Sequence, residues 1–267
     1  MKTICITGAT DGLGLAVATA LSRPGQSLLI HGRNPEKLAA VRQGLLGLGA
    51  EVYAFQADLS DLSQVERMLE QIKQTQSGID VLINNAGVYK TAGETGSLGI
   101  DVRLVVNTLA PFWITQSLLP QLAGGRVINL SSAAQAPLDF DGLCGRKQYS
   151  NQMQAYAESK LALTCWTLAM ANLYSDKQIR FMAVNPGSLL ATSMVREGFG
   201  VEGKDISGAV KLLVDMALSP KFADTGGRYF DNDIGSFASP HPDATNPVIQ
   251  QQLLKLMAQQ LWRHCQS

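Results

Sequence analysis

Thr7-Gly8-Ala9-Thr10-Asp11-Gly12-Leu13-Gly14 follows directly on the apolar run Ile4-Cys5-Ile6 and passes without a break into Leu15-Ala16-Val17-Ala18-Thr19-Ala20-Leu21. These residues predict a buried strand over Lys2–Thr7, a glycine turn, and a helix over Gly12–Ser22. Gly8, Gly12 and Gly14 let the backbone bend sharply and approach a ligand with no Cβ in the way. The helix opens inside the turn, so its unpaired N–H groups and positive dipole end face whatever lies above. An anionic group such as a pyrophosphate suits that position, with Thr10, Asp11 and Leu13 in the same cradle. The triplet alone is equally compatible with an ordinary strand–helix turn. The rest of the chain has to decide.

Downstream, short β-rich runs alternate with helical ones. Strands are expected at Ser27–His31, Glu51–Gln56, Asp80–Asn84, Arg126–Ser131, Ile179–Asn185 and, more weakly patterned, Gly227–Asp231. Helices are expected at Pro35–Leu46, Asp61–Thr75, Gly99–Leu119, Met153–Leu173 and Lys204–Leu218. Runs such as Val81-Leu82-Ile83 are apolar at every position, as in strands covered on both faces of a parallel sheet. Strands separated by helices imply right-handed βαβ crossovers and a doubly wound, mostly parallel α/β sheet. No repeat or linker divides the chain, so 1–267 reads as one domain. Three segments break the alternation, at about 88–98, 133–152 and 187–203. Each follows a strand, which puts it at the carboxyl edge of the sheet, where such folds bind ligands.

Composition narrows the function classes. The formal net charge is zero and no block of Lys/Arg occurs, which argues against a nucleic-acid or membrane surface. With 46% hydrophobic residues the chain can build a large core, yet no run is long enough to span a bilayer. The four cysteines, Cys5, Cys144, Cys165 and Cys265, lack metal-site spacing and read as free thiols in a reducing cytoplasm. No metal site is expected.

The strand ends carry the chemistry. After the second strand stand Arg33 and Asn34, where the adenosine ribose lies in sheets of this kind. An arginine there can fork onto a 2′-phosphate, so NADP is favoured over NAD. Asp11 weighs against this, because its carboxylate would repel that phosphate. Asp58 and Leu59 follow the third strand, with Asp58 either accepting from an adenine or capping a helix. Asn84-Asn85-Ala86-Gly87 ends the fourth, where small and amide side chains allow close approach to a ribose. Pro186-Gly187 ends the sixth, with Thr192 five residues beyond Gly187 in reach of a carboxamide or phosphate.

Tyr156 and Lys160 lie four apart in a helical stretch and share one face. A phenol titrates near ~10, too high for efficient proton exchange at neutral pH. An ammonium ~6 Å away, at an effective dielectric of ~20, favours the phenolate by about 2.8 kcal/mol, roughly two pKa units. The pair thus suits carbonyl protonation. Ser131 and Ser132 end the fifth strand, where a hydroxyl can orient the carbonyl. Asn107, just before Pro111, could hold a water in a proton relay with its amide, or simply satisfy a helix kink.

Taken in order, Thr7-Gly8-x-x-x-Gly12-x-Gly14, Asn84-Asn85-Ala86-Gly87, Asn107, Ser132, Tyr156-x-x-x-Lys160 and Pro186-Gly187 closely resemble the motifs of the short-chain dehydrogenase/reductase family, over roughly residues 1–231. The resemblance implies a seven-stranded Rossmann-type sheet and a catalytic set of Asn107, Ser132, Tyr156 and Lys160, with Ser132 preferred to Ser131. Ser132 and Tyr156 are 24 positions apart, longer than the family's usual gap. With Arg33-Asn34-Pro35-Glu36 and Gly227-Arg228-Tyr229-Phe230, this looks like the retinol dehydrogenase and protochlorophyllide reductase-like branch, which implies NADP and a partly lipophilic carbonyl or alcohol. No amino-terminal membrane anchor is read, and both a monomer and a homo-oligomer stay open. Leu138, Phe140, Leu189, Leu190, Met194 and Phe199 are candidates for an apolar pocket, or for packing against the body. Two rival readings are an epimerase or dehydratase on the same scaffold and a cofactor-sensing binding protein without turnover.

Overall fold

The computed structural model describes residues 1–91 and 93–266; Ala92 in the first irregular segment, Ser267 and the side chain of Phe199 lie outside the described residues. Among the described residues, eight strands form one sheet: β1 (Lys2–Ile6), β2 (Gln26–Gly32), β3 (Glu51–Gln56), β4 (Val81–Asn84), β5 (Arg126–Leu130), β6 (Arg180–Asn185), β7 (Arg228–Asp231) and β8 (Ser236–Ala238). Their order is β3-β2-β1-β4-β5-β6-β7-β8. Every neighbouring pair is parallel except the β7–β8 hairpin. The eighth strand corrects the expected seven. It is three residues long, reached through a turn ending at Gly235 (φ +69°), and too short to show a period of two. The order reverses between β1 and β4, so the loops leaving their carboxyl ends diverge and open a crevice.

The period-two alternation of β1 assigns the layers. Ile4 and Ile6 join Leu28, Ile30, Val81 and Ile83 under α1 (Gly12–Leu21), α2 (Pro35–Leu46) and a later helix, Ser207–Leu218. Cys5 joins Leu29, Leu82 and Val127 on the other face, under α3 (Leu62–Thr75) and the helices of the chain's middle. Each Leu or Ile fully buried in either layer contributes about 1.5–3 kcal/mol.

The stretch expected as one helix over Gly99–Leu119 is broken. A short turn, α4 (Val102–Leu104), leads into a π-helical segment at Val105–Leu109 and then α5 (Ala110–Leu118). Pro111 is the cause: it has no N–H to offer the carbonyl of Asn107 four residues back. The N–H of Ala110 instead reaches back five residues to Val105 O. The segment at 133–152 contains α6 (Phe140–Leu143), and α7 (Gln152–Leu173) follows it. The segment at 187–203 contains α8 (Ser193–Phe199), before α9 (Ser207–Leu218). Two C-terminal helices, α10 (Pro242–Thr245) and α11 (Pro247–Gln266), were not expected. Leu253 and Met257 of α11 are buried in the same layer as Trp166 of α7. With the sheet beneath it and α4, α10 and α11 around it, α7 is buried at nearly every position from Ala155 to Met170. No helix among the described residues is long and apolar enough to cross a membrane.

Candidate active site

Gly8 (φ +65°) and Gly12 (φ +51°) take the left-handed backbone that the turn between β1 and α1 requires. A Cβ on Gly8 would stand 2.9 Å from Ala86 Cα. One on Gly14 would collide with both the carbonyl oxygen of Gly8 and the amide nitrogen of Asn85. The bare backbone here is a packing requirement. The turn is tied to β4 by Asn85, whose Nδ2 donates to Thr7 O (2.9 Å) and Gly8 O (3.0 Å). The Thr7 hydroxyl in return accepts from the N–H groups of Asn85 and Ala86, each at 3.0 Å. Thr10 fills the space a side chain on Gly32 would need. The N–H of Gly12 is not open to a ligand, because Asp11 caps it at 2.7 Å. Leu13 and Gly14 supply the remaining first-turn N–H groups.

Asp11 also faces Lys37 Nζ at 4.0 Å and accepts from Ser193 Oγ at 3.1 Å. Its charge therefore lies between partners and does not point alone at the crevice. Arg33 is three-quarters exposed, with Nη1 3.9 Å from Asp58 Oδ2, and is poised at the end of β2. Asn34 caps α2 by accepting from Lys37 N at 2.7 Å. Asp58 holds Ser60 through its N–H and hydroxyl, while Asp61 is the residue that caps α3. The Leu59 side chain is buried in the core, which leaves only its backbone to face the crevice.

Around α7 the expected set comes together. Ser131 is turned inward, bonded to Lys160 O (3.2 Å) and the Thr164 hydroxyl (2.6 Å). Ser132 is half-buried, accepts from Ala134 N–H at 3.1 Å, and stands near enough to the Tyr156 phenol to draw it downward, which favours it over the inward-turned Ser131. Lys160 is buried, donates to Leu130 O at 2.8 Å and sits 5.6 Å from the centre of the Tyr156 ring. A Cβ on Gly87 would be 3.3 Å from Asn107 Oδ1 and 3.4 Å from Lys160 Nζ, so bare backbone lies directly over the ammonium. Burial pushes Lys160 down to about 8. It also pushes the Tyr156 phenol up, against the smaller downward pull of the Ser132 hydrogen bond. The lowering expected from the ammonium does not set the phenol's shift, which desolvation of the phenolate dominates, a cost that residue spacing does not report.

The side chain of Asn107 is fully engaged. Its Oδ1 accepts from Val88 N (2.8 Å), and its Nδ2 donates to Val88 O and Ser159 Oγ, both at 3.0 Å. The amide therefore fixes the loop after Gly87. Gly187 (φ +125°) follows Pro186, whose carbonyl accepts from Asn232 Nδ2 at 2.8 Å. Thr192 caps α8, and its side chain lies 3.4 Å from where a Gly12 Cβ would stand. The segment at 187–203 thus folds down onto the glycine turn.

The long interval between Ser132 and Tyr156 is anchored by a residue the sequence reading passed over. Glu158 is buried and accepts from Tyr149 OH (2.6 Å), Gln154 Nε2 (2.9 Å) and Lys147 Nζ (3.0 Å). Lys147 also meets Asp139 at 3.1 Å. Glu158→Ala would leave these donors short of an acceptor, and is expected to cost about 2–4 kcal/mol. Thermal unfolding should show a Tm lowered by about 5–12 °C; a change below about 2 °C would mean the segment is held by other contacts. Tyr89, also unanticipated, meets Tyr156 edge to face with centroids 5.4 Å apart. A Cβ on Gly198 of α8 would be 2.6 Å from its ring. Of the candidate pocket residues, Leu138 and Phe140 pack against the core, Leu190 is buried, and Leu189 is exposed. Met194 lies over Gly87.

The family model for short chain dehydrogenases matches residues 2–200, three-quarters of the chain and all of the site from the glycine turn to Thr192. The chain belongs to the short-chain dehydrogenase family. It is accordingly an NAD(P)-dependent oxidoreductase. Human retinol dehydrogenase 13 is 30% identical, over 94% of this chain and 82% of its own. A short chain dehydrogenase from Burkholderia cenocepacia, crystallised with NADP, has a TM-score of 0.70 at 26% identity, covering 86% of this chain and 95% of its own. The landomycin C-6 ketoreductase LanV, crystallised with NADP and rabelomycin, has a TM-score of 0.67 at 26% identity, covering 86% and 94%. Among short-chain dehydrogenases the chain falls on the retinol dehydrogenase side.

Proposed function

We propose that this short-chain dehydrogenase transfers a hydride between NADP(H) and a carbonyl or alcohol substrate of small to medium size and partly lipophilic character. The observation that carries the proposal is the buried Lys160 ammonium, 5.6 Å from the centre of the Tyr156 ring and under the bare backbone of Gly87. The glycine cradle fits a dinucleotide backbone, since a Cβ at Gly8 or Gly14 would fill it. Gly8 to Gly14, Asn85 to Gly87, Pro186, Gly187 and Thr192 would hold the cofactor, with Lys160 at its ribose. When bound, its nicotinamide ring supplies or accepts the hydride. Ser132 orients the substrate oxygen by hydrogen bonding, and Tyr156 gives it a proton or takes one. Burial keeps the phenol protonated across the neutral range, which suits donation to a carbonyl. Lys160 holds positive charge behind the phenol, and Asn107 fixes the loop beside it. LanV, a ketoreductase crystallised with rabelomycin, supports a carbonyl compound as the substrate class. A reducing, cytoplasmic setting is part of the proposal and agrees with four free cysteines.

The direct test is oxidation of NADPH and NADH in parallel across aldehydes, ketones and quinones. NADPH consumption by at least one carbonyl class is expected. Cofactor binding without turnover on any of them would favour a sensing protein instead. Arg33 is proposed as the contact to the 2′-phosphate. Arg33→Ala is expected to weaken NADPH binding by about 10- to 100-fold and NADH binding by less than about threefold. Equal losses for both in a fluorescence titration would remove the phosphate contact.

A further inference from the structure

His31 ends a run, Leu28-Leu29-Ile30-His31, that is otherwise apolar, and is itself only 4% exposed. Its ring bridges two groups that cannot exchange roles. The N–H of Gly8 can only donate, and reaches Nδ1 at 3.1 Å; the carbonyl of Ala57 can only accept, and lies 3.0 Å from Nε2. The imidazole is therefore the neutral tautomer with its proton on Nε2. The main chain adds a third tie, from Ala9 N–H to His31 O at 2.9 Å. On the opposite side, Asn85 holds the carbonyl of Gly8. Gly8 is thus suspended between two strands, its N–H fastened to β2 and its C=O to β4.

We infer that His31 is a positioning residue for the dinucleotide, holding the glycine turn and the end of β3 in register by accepting from Gly8 N–H and donating to Ala57 O. The inference rests on reading that turn as the cofactor cradle. A second proton on the ring would set Nδ1–H against Gly8 N–H, so the geometry opposes protonation. Burial does the same, lowering the imidazole from 6.5 to about 4 against the smaller upward effects of the Ala57 carbonyl and of Asp58, the carboxylate facing it from beyond β3. The folded chain then binds fewer protons at His31 than the unfolded one below pH 6.5. The stability His31 contributes is present above that pH and is lost as pH falls through about 4.

His31→Leu removes both bonds, whereas His31→Asn places an acceptor at the same reach from the backbone as Nδ1 and cannot titrate. His31→Leu is expected to raise the NADPH Kd by on the order of tenfold or more, with kcat at saturating cofactor changed by less than about threefold. His31→Asn is expected to restore the Kd to within about threefold of the parent protein. A folded His31→Leu variant that binds NADPH within about twofold of the parent overturns the inference. Should that variant not fold, nitrogen-15 spectra of the parent's 3 histidines decide the matter. One ring should stay neutral, protonated on Nε2, down to about pH 5, and shift when NADPH is added. Three rings that all titrate near neutrality, or a neutral ring indifferent to NADPH, would overturn it. A parent protein that binds NADH alone would count against the NADP reading, and the same variants would then be titrated with NADH.

Discussion

Tyr156→Phe is expected to lower kcat by about 10²–10⁴-fold, the range that a positioned proton donor contributes. The substitution removes one oxygen. The ring keeps its edge contact with Tyr89, the Ser132 hydroxyl keeps the N–H of Ala134 at 3.1 Å, and Lys160 keeps Leu130 O. NADPH affinity should therefore stay within about threefold of the parent, because the cradle and the lysine are untouched. Stopped assays of NADPH consumption with a carbonyl substrate, paired with a fluorescence titration of the cofactor, separate the two effects. Near-normal turnover would show that another group carries the proton. A parallel collapse of NADPH affinity would show that the phenol holds the cofactor and does not act on the substrate.

Gly14→Ala has the largest expected effect away from the chemistry. The new methyl would land on Gly8 O and Asn85 Nδ2, the two atoms whose hydrogen bond clamps the glycine turn to β4. One of them belongs to the main chain, so no side-chain rotation relieves the collision. The expected cost is about 2–4 kcal/mol of stability, at the upper end for overpacking. NADPH affinity should fall about 100-fold or more, since the turn must move to admit the methyl. Gly44→Ala is the matched control: it lies inside α2 with open space around it and should gain about 0.5–1 kcal/mol. Thermal melts and NADPH titrations of both variants test the pair. A Gly14→Ala protein as stable as Gly44→Ala would mean that the turn is looser than its contacts suggest.

The part of the fold that was readable is the part governed by local pattern. β3 and α2 have the bounds that their residues predict, and the other strands of the parallel sheet fall within a residue or so. β8 was not readable because three residues carry no period. α11 was missed for a different reason. Its buried seam is Leu253, Met257 and Gln260, one residue per turn with a polar last member, diluted by Gln250, Gln251, Gln252 and Gln259. The site residues were legible by type and order, but their partners were not. Spacing shows that Tyr156 and Lys160 share a face, yet burial, which reverses the direction of the phenol's shift, depends on Tyr89 and on the segments folded over it. His31 is visible as a polar residue in an apolar strand, and its partners stand 23 and 26 positions away. Pro111, by contrast, announces the broken helix at Asn107 to anyone asking where the carbonyl four residues back finds a donor.

The packing of α11 on α7 also bears on how the enzyme is made. During synthesis the glycine turn, Ser132, Tyr156 and Lys160 all leave the ribosome well before Pro247–Gln266. Until that late helix emerges and docks, one flank of α7 is wet and its apolar side chains are uncovered. The nascent chain therefore carries its chemical groups before the cover over α7 is complete.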